Sequence, residues 1–459
     1  MINIKESKKL FLVILSSMIL FLFMLNINQN DSLSVVSLSL ILLLIVFFVS
    51  CITFSVNIVN PFMFFLVYYF LGSWDVISAS LNLRNTKLIW NNNIYQKAMI
   101  LLVVWFLCFT VGYFLILKLK KNSLKREKFF IPFENKKKYI YLLIPLLIFS
   151  IYVFSNIFEG ISNITSLINA PLVGDGRLAE GKGFLLAFAY IIGLIPVVLL
   201  ADGKKNMSII SSVIIFCLMI LTGRRSMAFK AAFIPLLVFW NFREKKIEKK
   251  WLILGGFIVV FIVSIIGTLR TINQASFSFT NVENGILSQF VILGKYVGYG
   301  DNLVDLVGKI DTGQIPFQKY NFIFRGIQYL IPRSLWLSKP SVHSGEIVSN
   351  LVYFAGDVGR PVGAFGWAYL QFGMLGVIFS GLITGIVVNQ LYSWAIKRND
   401  LFSLGLYGLI ILPMLEMFLP ESQMLLMVNI MFWCVAFYFC PNRTRREAPI
   451  SEDSKKDFI

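Results

Sequence analysis

Apolar runs long enough to cross a membrane recur from one end of this chain to the other, and they limit the fold more than any motif does. A helix needs about 20 apolar residues to span roughly 30 Å of hydrocarbon. Such runs lie near 10–26, 33–57, 61–78, 97–118, 139–157, 184–201, 207–222, 225–240, 251–268, 368–393, 401–419 and 422–440. With 57% hydrophobic residues and 44 phenylalanines, the chain is too apolar for a soluble globular protein. The expectation is an all-α polytopic membrane protein with about 12 transmembrane helices.

The charges orient it. With twelve spans and a cytoplasmic N-terminus, 26 of the 42 Lys and Arg residues fall in segments 1–9, 118–138, 202–206, 241–250, 394–400 and 441–459. Each of these inside segments holds at least two, as the positive-inside rule requires. Both termini are therefore expected in the cytoplasm. The first span follows Lys5, Lys8 and Lys9 and lacks a small-residue cleavage site, so it reads as an uncleaved anchor. Topology and contact with membrane lipid account for the basic balance, and no nucleic acid is needed to explain it.

The expected organisation is four segments: 1–268 with helices one to nine on short loops, an external loop over 269–365, helices ten to twelve in 366–440, and a cytoplasmic tail over 441–459. The external loop is too aromatic and apolar to be disordered. Its amphipathic pieces near 285–298 and 321–336 suit helices lying at the membrane interface. There is no P-loop and no G-x-G-x-x-G, and no cytoplasmic loop is large enough for a nucleotide fold. Any donor substrate is thus expected to arrive within the membrane. The five cysteines show no paired spacing, so neither a disulfide framework nor a metal cluster is suggested, and the single histidine excludes a multi-histidine metal site while leaving a carboxylate-rich one open; no cofactor is expected.

Arginine is enriched where the positive-inside rule disfavours it. Inside segments hold 20 Lys and 6 Arg, whereas the external sequence holds 8 of each. A guanidinium presents a planar fork that matches phosphate, which points to an anionic ligand. Arg224 and Arg225 are the sharpest pair: they open span eight, where orphan backbone N–H groups already favour an anion. Lys230 lies about a turn deeper, placed to snorkel outward or reach a headgroup. In RGIQYLIPRSLWLSKPSVHSGE (325–346), Arg325, Arg333 and Lys339 stand near His343, the only histidine. Histidine is the usual group for activating a hydroxyl, with Glu346 and Asp357 as rival bases. Glu416 and Glu421 flank the end of span eleven, where they are positioned to pair with loop arginines. Gly373, Gly376, Gly381 and Gly385 have the small-residue spacing of close helix packing.

TGRRSM opening a span, the long loop with RGIQYLIPRSLWLSKPS, and GAFGWAYLQFGMLGVIFSGLITG together resemble the Wzy-type oligosaccharide repeat-unit polymerases of O-antigen and capsule synthesis. The resemblance covers 222–390. It implies a GT-C-like helical fold and a metal-independent, inverting glycosyltransferase whose donor is an undecaprenyl-diphosphate-linked oligosaccharide. The residue reading supplies the candidates for this chemistry: Arg177, Arg224, Arg225, Arg270, Arg325, Arg333, Lys339 and Arg360 for the diphosphate, and His343, with Glu346 as rival, for the base. The resemblance places the chain in a bacterial inner membrane, with a chain-length regulator protein as a possible partner. An O-antigen ligase would share this scaffold and chemistry. A flippase would instead have short loops on both sides and charges within its spans.

Overall fold

The computed structural model describes residues 59–69, 90–119, 147–148, 150–156, 189–221, 225–243, 300–318, 325–331, 335–337, 343–354 and 362–439. Every regular element among them is helical. In chain order these are α1 (Asn92–Leu119), a 3-10 turn (Tyr190–Gly193), α2 (Leu194–Ala201), α3 (Lys205–Leu221), α4 (Arg225–Ala232) and α5 (Ile234–Arg243). Then come α6 (Gly300–Asp311), α7 (Arg325–Leu330), α8 (Ser344–Tyr353), α9 (Gly363–Arg398), α10 (Leu401–Leu415) and α11 (Pro420–Phe439). Residues 61–69 are helical as well.

Among the described residues, α1 and α9 are long and apolar enough to cross a membrane. Spans four, seven, ten, eleven and twelve of the sequence coincide with α1, α3, α9, α10 and α11. Spans one, two and nine, and the amphipathic piece at 285–298, lie outside the described residues.

The surface pattern is the inverse of a soluble protein's. On α3 the serines Ser208 and Ser212 are buried, while Ile209, Ile210, Val213 and Ile214 face outward. On α9, Phe372, Leu375, Phe379 and Ile383 are exposed at three- and four-residue spacing, and Ser380, Thr384 and Asn389 are buried. That spacing is one helix face. A bilayer accepts the apolar face, so the polar groups turn inward and bond across helices. Ser208 Oγ donates to the Pro196 carbonyl (2.6 Å), Ser212 Oγ to that of Ala232 (3.1 Å), and Trp105 Nε1 to Ser380 Oγ (3.1 Å).

α1 and α9 run parallel and form the most extensive helix pair among the described residues. Gly381 and Gly385 make this possible. A Cβ on Gly385 would lie 2.2 Å from the Phe109 carbonyl oxygen, and one on Gly381 2.7 Å from that of Trp105. On the other side of α1, Phe65 stacks on Phe109 at 3.6 Å between ring centroids, and Tyr113 donates its hydroxyl to Asn60 Oδ1 at 2.9 Å.

Two expected spans prove to be broken. Span eight divides at Phe233 into α4 and α5, because Pro235 has no N–H to give to the Ala231 carbonyl. Span ten reaches from 363 to 398 but breaks at Phe372 and Gly373, where Gly373 adopts φ +62° and ψ −147°. The break interrupts the helical bonding of the Leu370 carbonyl, which accepts a hydrogen bond from Gln318 N–H at 2.9 Å.

Within 269–365, expected as one loop, the described residues include two helices with no forerunner in the sequence reading, α6 and α8. Asp305 on α6 accepts from Trp90 Nε1 (2.6 Å) and from the Tyr353 hydroxyl. Asp311 pairs with Lys97 at 2.5 Å and accepts from the Tyr369 hydroxyl at 3.2 Å. Lys309 donates to the Val352 carbonyl. Lys97 and Lys309 therefore anchor α6 to the N-terminal end of α1 and to α8.

Candidate functional site

The turn between α10 and α11 gathers the candidate residues. Glu416 ends α10, Pro420 starts α11, and the first turn of α11 carries Glu421, Ser422 and Gln423. Both short loop helices dock on that turn. Gly326 N–H of α7 donates to Gln423 Oε1 at 3.2 Å. At the start of α8, Ser344 donates through N–H to Glu421 Oε2 (3.2 Å) and through Oγ to Glu421 Oε1 (2.5 Å).

These bonds solve a local problem. The first backbone N–H groups of a helix have no partner inside it. In α8 that of Ser344 goes to Glu421, and that of Gly345 goes to Nδ1 of His343 at 3.2 Å. His343 is thus the N-cap, in extended conformation at φ −78° and ψ 125°. Glu346 follows in the first helical turn, where a carboxylate suits the positive helix end. With Nδ1 accepting, a neutral His343 carries its proton on Nε2.

Arg325 opens α7 and is half-buried. No carboxylate pairs with it among the described residues, and burial pushes its guanidinium below the ordinary arginine value. A desolvated cation without a counter-charge is a strong attractor for an anion.

Arg225 opens α4, as expected at the end of a span. In the last turn of α4, Lys230 turns inward rather than snorkelling, and its Nζ lies 3.0 Å from Glu416 Oε2. Ser422 Oγ donates to the same oxygen at 3.2 Å. The two carboxylates that sequence reasoning assigned to loop arginines therefore have other partners: Glu416 holds Lys230, and Glu421 holds the start of α8. Each partner stands on a helix end packed against that carboxylate. A lysine within an apolar helix and a glutamate at the end of another were the available signal for the first pair. Nothing in the sequence signals the Glu421–Ser344 contact.

Arg225, Arg325, His343 and Glu346 thus sit on helix ends brought to one end of the bundle. Arg177, Arg224, Arg270, Arg333, Lys339, Asp357 and Arg360 lie outside the described residues.

Helices that turn apolar faces outward and polar groups inward define a helical membrane protein, with Arg225, Arg325 and His343 at helix ends. A family model described as O-antigen polysaccharide polymerase Wzy matches residues 9–441. The chain belongs to this family: it is a polytopic integral membrane protein of polysaccharide biosynthesis, a glycosyltransferase-like polymerase of O-antigen repeat units. No curated protein and no solved structure matches it.

Proposed function

We propose that the chain polymerises undecaprenyl-diphosphate-linked oligosaccharide repeat units on the external face of the bacterial inner membrane. Twelve spans in a GT-C-like arrangement, with both termini cytoplasmic, place the 269–365 loop on that face. A hydroxyl of the acceptor repeat unit attacks the anomeric carbon of the growing glycan. The bond from that carbon to the diphosphate oxygen breaks with inversion, and undecaprenyl diphosphate leaves. No metal is required, because fixed cations can take the developing charge without reorganising.

Arg225 and Arg325, with Arg177, Arg224, Arg270, Arg333, Lys339 and Arg360, bind the diphosphate in this scheme. Glu346 accepts the hydroxyl proton. His343, with Nδ1 committed to the cap of α8, donates from Nε2 to a substrate oxygen. The observation that supports this most is Arg325: a half-buried guanidinium with no carboxylate paired to it among the described residues, on a helix docked beside the one that His343 caps.

The test is a set of single variants, Arg224→Ala, Arg225→Ala, Arg325→Ala and Arg333→Ala, in cells scored for insertion and for the polysaccharide ladder. Inserted protein with single, unpolymerised repeat units is the expected result. Normal ladders from all four would overturn the diphosphate site.

A further inference from the structure

A second charged cluster lies beneath the site. Lys230 of α4 and Glu416 at the end of α10 form an ion pair at 3.0 Å, with side chains only 19% and 8% exposed. Ser422 of α11 donates to the same Glu416 oxygen. Tyr190, in the 3-10 turn before α2, completes the cluster. That turn packs on α4 so closely that a Cβ on Gly193 would meet the Ala231 carbonyl oxygen at 2.1 Å. Tyr190 is fully buried, its hydroxyl has no hydrogen-bond partner among the described residues, and it stands within electrostatic range of Glu416.

As a purely structural device this is a poor arrangement. A buried ion pair stabilises no better than well-packed apolar residues of its size, and a buried hydroxyl left without a partner is a net cost. As a binding device it has what is needed. The ammonium has three donors, and Glu416 takes one. Its flexible stem leaves it partly exposed. It lies five residues past Arg225, about 7.5 Å along the helix axis.

We propose that Lys230 is a further phosphate-binding residue, held in reserve by Glu416. When a phosphate-bearing ligand enters, the ammonium moves to a phosphoryl oxygen. The Glu416 carboxylate is then satisfied by the Ser422 and Tyr190 hydroxyls. This deepens the diphosphate site proposed above and rests on it for the identity of the natural ligand.

The experiment uses the full chain in phosphatidylcholine nanodiscs, with undecaprenyl diphosphate, phosphatidylglycerol and inorganic diphosphate as separate probes. The double variant Lys230→Met/Glu416→Leu replaces the ion pair by apolar side chains and is expected to keep or raise the melting temperature. Its affinity for undecaprenyl diphosphate is expected to fall about tenfold to a hundredfold, the effect of one lost charged hydrogen bond. Tyr190→Phe deletes only the unpartnered oxygen and is expected to fold normally while weakening the same affinity about fivefold, within the range for one neutral hydrogen bond.

Unchanged affinity in both variants, with folding intact, would overturn the proposal. So would failure of the wild-type chain to bind any of the three probes. Binding of phosphatidylglycerol or inorganic diphosphate through Lys230, with no binding of undecaprenyl diphosphate, would overturn the proposed function while supporting the phosphate role of Lys230.

Discussion

Removing the Glu421 carboxylate should release α8 and with it His343 and Glu346. In Glu421→Ala, Ser344 loses two partners, one for its N–H at 3.2 Å and one for its hydroxyl at 2.5 Å. Ser344 is only 1% exposed, so water does not readily replace them. Hydrogen bonds to an ionised partner contribute about 1.5–3 kcal/mol each. Because Glu421 itself is partly exposed, the lower end applies, and the pair together contributes about 2–3 kcal/mol to docking. That raises the undocked population of α8 by about 30- to 150-fold. Ser344→Ala, which keeps the backbone bond, should cost half as much. Amide hydrogen exchange over 344–349 in nanodiscs reads the docking, and the polysaccharide ladder reads its consequence. Faster exchange in the order wild type, Ser344→Ala, Glu421→Ala, with ladders shortening in step, is expected. Wild-type exchange and a full ladder from Glu421→Ala would refute the organising role of this turn.

Two other substitutions separate local structure from chemistry. His343→Ala should lose about 1 kcal/mol of α8 stability by removing its N-cap. His343→Asn keeps a capping acceptor, so it should restore exchange protection yet still polymerise about tenfold more slowly for want of the Nε2 donor; a full ladder from Asn would reduce His343 to a cap. Gly385→Ala, whose Cβ would stand 2.2 Å from the Phe109 carbonyl oxygen and 2.8 Å from Tyr113 N, should separate α1 from α9. The cost of such overpacking is about 1–3 kcal/mol, seen as a lower melting temperature in detergent, and an unchanged melting temperature would show that the helices do not approach so closely.

What could be read without the structure is what one segment determines by itself. The apolar runs that became α1, α3, α9, α10 and α11 follow from composition and length, because a bilayer-spanning segment must be apolar over its whole extent. The glycines at 381 and 385 have their packing role written in their spacing. Arg225 at a helix start, and a histidine and glutamate three residues apart in a loop, were legible as chemistry for the same local reason. The breaks in α4–α5 and α9 were less so: Pro235 was a signal, whereas Gly373 is one glycine among several and only its φ of +62° distinguishes it.

Tertiary structure alone decided which charges meet. Lys230 and Glu416 are 186 residues apart, and Ser344 and Glu421 are 77 apart. Their pairing depends on helix ends packing at one end of the bundle, which no local pattern encodes. The same packing turned Lys97 and Lys309 into anchors for α6 and left Arg325 half-buried without a carboxylate among the described residues. Composition and spacing determined that this chain is a helical membrane protein with spare positive charge. Which of those charges are already neutralised depends on distances of a few ångströms between helices far apart in sequence, because a direct ion pair or hydrogen bond forms only when the two groups are in contact.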